Sequence, residues 1–197
     1  MIDARSFLYV PAVKPALFDK AASGPADAII LDLEDAVPLQ HKETARRDVA
    51  AWLDDRTGGT AQVWVRVSPD FLDADLDVAV HPSVTGIVVA KCSQDGLERT
   101  ADEISDRGTA TLVVGLIETA YALRHLDRLA AVPGVATFGI GEVDLLADLR
   151  DALAAAVLER LRSVLAHHGP EGGLDQFARQ RLHIGHPAGQ GDDLRPR

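Results

Sequence analysis

Two stretches of this chain end an apolar run in a carboxylate. Residues 111–117 (TLVVGLI) lead into Glu118-Thr119, and residues 135–141 (VATFGIG) lead into Glu142-Val143-Asp144-Leu145. Each run is short, apolar on both faces and bounded by Gly or Pro, the pattern of a parallel strand buried on both sides. Side by side, two such strands bring Glu118 and Asp144 to one rim. Paired carboxylates there suit Mg²⁺, which takes one or two of them and leaves its other positions to water and substrate oxygens. Either acid alone could instead cap the following helix, and it is the repeated geometry that favours a site. Earlier in the chain a third run ends in Glu34-Asp35, and a fourth, residues 62–67, carries Arg66. A guanidinium in an apolar strand is costly without a partner. Arg66 therefore reads as a site cation rather than as half of a rim salt bridge with Glu34 or Asp35.

The elements that must position these residues follow a regular rhythm. Strands are expected at 6–11, 28–35, 62–67, 86–91, 111–117 and 135–141, with helices at 15–23, 38–54, 71–80, 96–106, 119–132 and 152–168. Apolar stripes support the helices: Ala45, Val49, Trp52 and Leu53 in the second, and Ala122, Leu126, Leu129 and Ala130 in the fifth. The sixth carries Leu153, Val157, Leu161, Val164 and Leu165 and is expected to stop at Gly169-Pro170. A shorter helix at 174–180 and a strand at 182–187 complete the reading. Strand–helix units spaced 25 to 30 residues apart predict alternating parallel α/β structure. The polar residues at the strand ends run Pro11, Glu34 with Asp35, Arg66, Lys91, Glu118 and Asp144. In barrels of this construction the catalytic groups gather at that rim. Residues 1–188 read as one domain and 189–197 as a disordered tail.

Bulk properties exclude several classes. A chain of 197 residues with 47% hydrophobic and 25% charged side chains can build one sizeable core. The net charge is −10 and the basic residues form no run, which argues against nucleic-acid or anionic-membrane partners. No apolar run reaches the length of about 18 residues that spans a bilayer, and the N-terminus lacks a signal-peptide pattern, so a cytoplasmic location is expected. The single cysteine, Cys92, excludes an internal disulfide and fits a reducing compartment. Nothing in the sequence supplies Cys92 with a base, and it reads as a structural thiol. His167-His168 and His183 with His186 have no Cys or Glu-His framework to make a transition-metal site.

Taken together, residues 5–11 (RSFLYVP), 30–37 (ILDLEDAV), 65–67 (VRV), 116–119 (LIET) and 138–145 (FGIGEVDL) resemble the citrate lyase beta subunit and malyl-CoA lyase group of the HpcH/HpaI aldolase family, colinearly over about residues 5–150. The resemblance implies a (β/α)₈ TIM-type barrel, assembly into homo-oligomers (trimers or hexamers), Mg²⁺ as cofactor, and an acyl-CoA thioester or oxo acid as small-molecule substrate. By motif, Glu118 and Asp144 would hold the metal, and Arg66, with Glu118, would bind substrate. Arg66, Glu34 and Asp35 would be the catalytic group, the two acids near the metal's water ligands.

Some departures are small: Ser68 follows Arg66-Val67 where the family has Asn, Ala12 follows Pro11 in place of Gly, and Ala90 precedes Lys91 in place of Pro. Residues 181–188 resemble the family's last-strand motif with Gly185 inserted, and the segment before them is short for a seventh strand and full helix. By the resemblance, a lid region that in related lyases gives a neighbouring subunit a catalytic aspartate is expected to be missing or shortened. The barrel is therefore expected to be incomplete, open between strands six and one. The expected function is Mg²⁺-dependent carbon–carbon cleavage or condensation of a hydroxyacyl thioester. The alternatives are a non-catalytic barrel that keeps a metal- and carboxylate-binding pocket, and an acyl-CoA thioesterase.

Overall fold

A computed structural model describes residues 2–56 and 59–172, with side chains to residue 163. Six strands, β1 (Phe7–Pro11), β2 (Ala28–Asp32), β3 (Gln62–Val67), β4 (Gly86–Val89), β5 (Leu112–Ile117) and β6 (Val135–Ile140), form one sheet in the order β1-β2-β3-β4-β5-β6. Every neighbouring pair is parallel. Sequential parallel order without a reversal is the winding of a (β/α) barrel rather than of a doubly wound sheet. The helices are α1 (Phe18–Ala22), α2 (Lys42–Asp55), α3 (Leu72–Ala79), α4 (Gln94–Asp106), α5 (Ala120–Arg124), α6 (Leu126–Ala130) and α7 (Glu142–Gly172). The chain divides into a unit Met1–Ala152, which holds all six strands, and a unit Leu153–Arg197. In the second unit Leu153, Val157 and Leu161, part of the expected stripe, are exposed. The helix, strand and tail expected at 174–180, 182–187 and 189–197 lie outside the described residues, as do His183 and His186.

In the first unit the central strands are buried on both faces, β2 at all five positions and β4 at all four, which is why they read as continuous apolar runs rather than alternating ones. On the helix side, Ile29, Leu31, Val63, Val65 and Ile87 pack with Phe18, Leu53, Leu97 and Leu129. Each such side chain contributes roughly 1.5–3 kcal/mol through burial. The inner face carries a smaller cluster of Ala28, Ile30, Trp64 and Val88. Trp64 faces Gly86 in register, and a Cβ at Gly86 would come within 2.1 Å of the indole. The glycine is what leaves room for the indole over its neighbouring strand. Beside it an apolar cavity of about 330 Å³, lined by Phe7, Tyr9, Ile30, Trp64 and Phe138 among others, opens on the inner side. Exposure rises at the outer strands: Phe7, Leu8 and Tyr9 of β1 and Ile140 of β6 are all exposed.

Two local expectations change. The helix expected over 119–132 is split at His125 (φ −113°, ψ 23°), whose N–H donates to the carbonyls of Tyr121 and Ala122 while its ring lies 4.5 Å from that of Tyr121. Ala122 and Leu129 are buried as expected, but the break turns Leu126 and Ala130 outward. Asp144, read as a strand-end acid, instead sits in the first turn of α7. The helix begins directly after β6, Gly141 accepting the N–H of Leu145 at 3.0 Å, and acids are favoured at that end by the helix dipole.

Candidate active site

The carboxyl ends of β2 to β5 and the start of α7 carry a connected set of charges. Asp32 and Arg66 end up opposite each other in the β2–β3 register. Arg66 Nε and Nη2 donate to the two oxygens of Asp32 at 2.8 and 2.7 Å, and Nη1 lies 3.2 Å from Glu34 Oε2. A two-pronged carboxylate grip matches the planar guanidinium fork. Asp32 also accepts the N–H groups of Glu34 and Ala36, at 2.9 and 3.3 Å, so one buried acid shapes the turn after β2 and fixes the guanidinium above it. The ring of Tyr9 lies 5.2 Å from the Arg66 guanidinium, within cation–π range. Underneath, the buried ammonium of Lys42 donates to the carbonyls of Leu33 and, at 2.7 Å, Glu34.

Glu118 is buried at the end of β5 and accepts the N–H of Lys91 at 2.7 Å. Gly141 makes room for it: a Cβ there would come within 2.4 Å of Glu118 Cγ and 2.5 Å of its Oε1. The Lys91 ammonium reaches back across the mouth. It donates to Glu34 and lies 3.6 Å from Asp35 Oδ1 and 3.7 Å from Asp144 Oδ2. Glu118 and Asp144 thus meet at one residue, the first at its main chain and the second at its side chain.

Electrostatics follow from this packing. Burial pushes the Glu34 carboxyl above the usual range, its largest influence, against the pull of the Lys91 hydrogen bond. Burial also works against ionised Asp35, but its hydrogen bond with Glu34 and the Lys91 charge outweigh it and the carboxyl sits low. Arg66 and Lys91 are desolvated, yet their acidic partners hold both more firmly protonated than usual. Burial, with the charge of Glu118, lifts the Cys92 thiol to about 11, so it is inert at neutral pH, in keeping with a structural thiol.

Arg66, Glu34 and Asp35 are therefore brought together, with Glu118 and Asp144 linked to them through Lys91. One expectation is corrected: Arg66 does take part in a salt bridge, chiefly with Asp32 and secondarily with Glu34. Sequence reasoning missed Asp32 as a site residue, although Asp32 and Glu34 stand two apart at the end of an extended run. It gave Lys91 a place on the rim but no task, and nothing local in the sequence pointed to Lys42 or Tyr9. For Mg²⁺ the donor chemistry fits, since Glu118 and Asp144 join Asp32, Glu34 and Asp35 at the mouth, and among the described residues the cations paired with these five acids are Arg66 and Lys91. Among the described residues no three His, Cys, Asp or Glu side chains are grouped as ligands. The protein would thus supply two carboxylates, leaving further positions to water and substrate.

This sheet and rim define an α/β barrel-type protein with an acidic mouth. Residues 5–184 match the HpcH/HpaI aldolase/citrate lyase family, and the chain belongs to that family. It is 32% identical over 149 residues, 74% of this chain and 51% of the relative, to a (3S)-malyl-CoA thioesterase of Cereibacter sphaeroides. It is 28% identical over 160 residues, 74% of this chain and 50% of the relative, to an L-malyl-CoA/beta-methylmalyl-CoA lyase of the same species. The fold matches the citrate lyase beta subunit of M. tuberculosis complexed with oxaloacetate and magnesium, with a TM-score of 0.56 and 28% identity over 73% of this chain and 60% of that one. The chain spans about half the length of the curated relatives it matches. No helix among the described residues is long and apolar enough to cross a membrane.

Proposed function

We propose that the chain carries the metal- and substrate-binding rim of a Mg²⁺-dependent carbon–carbon lyase acting on a hydroxyacyl-CoA thioester with a free carboxylate. The observation that carries this reading is the convergence of Glu118 and Asp144 on Lys91, with Arg66 fixed across the same mouth. The solved relative bound to oxaloacetate and magnesium, and the malyl-CoA lyase among the relatives, support it. Cleavage removes the proton of the hydroxyl, converts that carbon to a carbonyl, breaks the carbon–carbon bond and leaves the electron pair on the thioester as an enolate. Negative charge develops on oxygen at both ends. Glu118 and Asp144 would hold Mg²⁺, which would supply Lewis-acid stabilisation of such oxygens.

The chain's own groups do the rest. Arg66, immobilised by Asp32 and Glu34, presents a fixed positive charge to a substrate carboxylate or carbonyl and needs no reorganisation to do so. Glu34, its carboxyl raised above the usual range by burial and hydrogen-bonded to Lys91, is the rim acid best placed to hold or pass a proton, with Asp35, held below its usual range, beside it. The relative named as a thioesterase favours a second reading, in which the same mouth activates water against the thioester carbon. Product analysis separates them, because cleavage releases an oxo acid and a shorter acyl thioester, whereas hydrolysis releases free CoA and the intact hydroxy acid. The test is turnover of malyl-CoA with and without Mg²⁺: Glu118→Gln and Asp144→Asn are each expected to lower metal-dependent turnover at least about a hundredfold. Parent-like rates in both variants would remove the proposed site.

A further inference from the structure

Lys91 is the one non-glycine residue with positive φ among those described, at 44°. A side chain in this left-handed region is strained, and such strain persists where the surrounding structure over-determines it. Here the turn serves a visible purpose. It points the N–H of Lys91 at Glu118 and, from the same residue, sends the ammonium toward Glu34, Asp35 and Asp144. The contacts are unequal. The ammonium is hydrogen-bonded to Glu34, which is buried, whereas it only approaches Asp144, which is 41% exposed, at 3.7 Å.

We propose that Lys91 is a resident counter-cation of the mouth: it holds the acids together in the absence of a divalent ion and competes with that ion for Asp144, thereby setting the metal affinity. The inference rests on the metal reading of Glu118 and Asp144 given above. Any divalent ion that takes Asp144 shares that carboxylate with an ammonium already beside it, and like charges at such separations repel. Relief lies toward Glu34 and Asp35, which keep the ammonium partnered when Asp144 is given up. One residue therefore limits how strongly the site binds metal and, when no ion is bound, offsets the repulsion among Glu34, Asp35 and Asp144. The expected balance is weak, reversible loading by the ion alone.

The experiment is a Mn²⁺ titration followed by electron paramagnetic resonance of the free ion, with thermal melts run with and without Mn²⁺; it needs neither substrate nor turnover. Lys91→Gln removes the ammonium. Lys91→Gly removes it too and suits the left-handed turn, so a folded variant is in hand even if the Gln side chain is not tolerated there. Both are expected to bind Mn²⁺ about tenfold more tightly than the parent. Both should melt lower without metal, and saturating Mn²⁺ should close that gap. Unchanged or weakened affinity in the Lys91 variants, while Glu118→Gln and Asp144→Asn still weaken binding, overturns the counter-cation and leaves the metal site standing. If Glu118→Gln and Asp144→Asn leave Mn²⁺ binding untouched, or neither the parent nor the Lys91 variants bind the ion, the metal reading fails and the counter-cation falls with it.

Discussion

The two halves of the mouth are built on opposite plans. At the ends of β2 and β3, Asp32, Glu34 and Arg66 satisfy one another, and Asp32 also ties down two backbone N–H groups. At β5 and α7, Glu118 takes one N–H and Asp144 has a single approach from Lys91. The first half is closed and serves as scaffold for a fixed guanidinium. The second keeps carboxylate oxygens in reserve for something brought from outside. Substitutions in the closed half should therefore cost stability, and those in the open half should cost binding.

The largest effect expected is that of Asp32→Ala. It strips a partly buried guanidinium of its principal partner and frees the turn after β2, at a cost of about 3–5 kcal/mol in urea denaturation. Asp144→Asn, in an exposed first helical turn, should cost no more than about 1 kcal/mol. Equal losses in the two variants would break the division between the halves.

Next comes Lys42→Met. Its ammonium joins the closed half from below, through the carbonyls of Leu33 and Glu34, and losing charge-assisted hydrogen bonds of this kind should cost about 2 kcal/mol. Mn²⁺ affinity should stay within about twofold of the parent, since a change smaller than 0.5 kcal/mol is all that an untouched site allows. A large loss of metal affinity would show that the halves are mechanically coupled.

Gly141→Ala probes the open half without altering a charge. The new methyl group would overlap Glu118 Cγ and Oε1, and the flexible acid must swing aside. Stability should fall by about 1–2 kcal/mol, the ordinary cost of overpacking. Metal affinity should fall as far as it does in Glu118→Gln. If the variant melts like the parent and binds Mn²⁺ normally, the buried position of Glu118 has no bearing on the site.

The closed half was the less legible of the two, although its residues stand out more in the sequence. Strand positions were readable because two-sided burial leaves short apolar runs between breakers, and the ends of those runs named Glu34, Arg66 and Glu118. The partner of Arg66 was not readable, because pairing it with Asp32 depends on the register of β2 against β3, set by packing across 34 positions of sequence. Asp144 was assigned to the right rim but to the wrong element, since a Gly followed by acids after an apolar run serves a strand end and a helix start alike. The left-handed turn at Lys91 left no local mark: Ala-Lys-Cys carries none of the Gly or Asn that commonly signals positive φ. The break at His125 escaped for the same reason, an apolar spacing that suits one helix or two.

The smallest effect belongs to the far end of the strands, and it tests whether the buried rim differs in kind from an exposed one. Before β2, Asp27 accepts the N–H groups of Arg5 and Ser6 at 3.0 and 3.1 Å, together with the Ser6 hydroxyl and the Arg5 guanidinium, and so pins the start of β1 to β2. The Arg5 side chain, with its N–H second, lowers the Asp27 carboxyl to about 2 from an ordinary 3.8. A depressed carboxyl stabilises the fold above its unfolded value and loses that contribution as pH falls through its folded one. This share of stability is complete above about pH 4 and drains away between there and about pH 2. In Asp27→Asn the acid limb should be shallower over that window, with the parent and variant curves drawing together toward low pH. Curves that instead run parallel down the whole acid limb would mean that the exposed clip does not hold β1, and that the edge strand is kept in place by its apolar contacts alone.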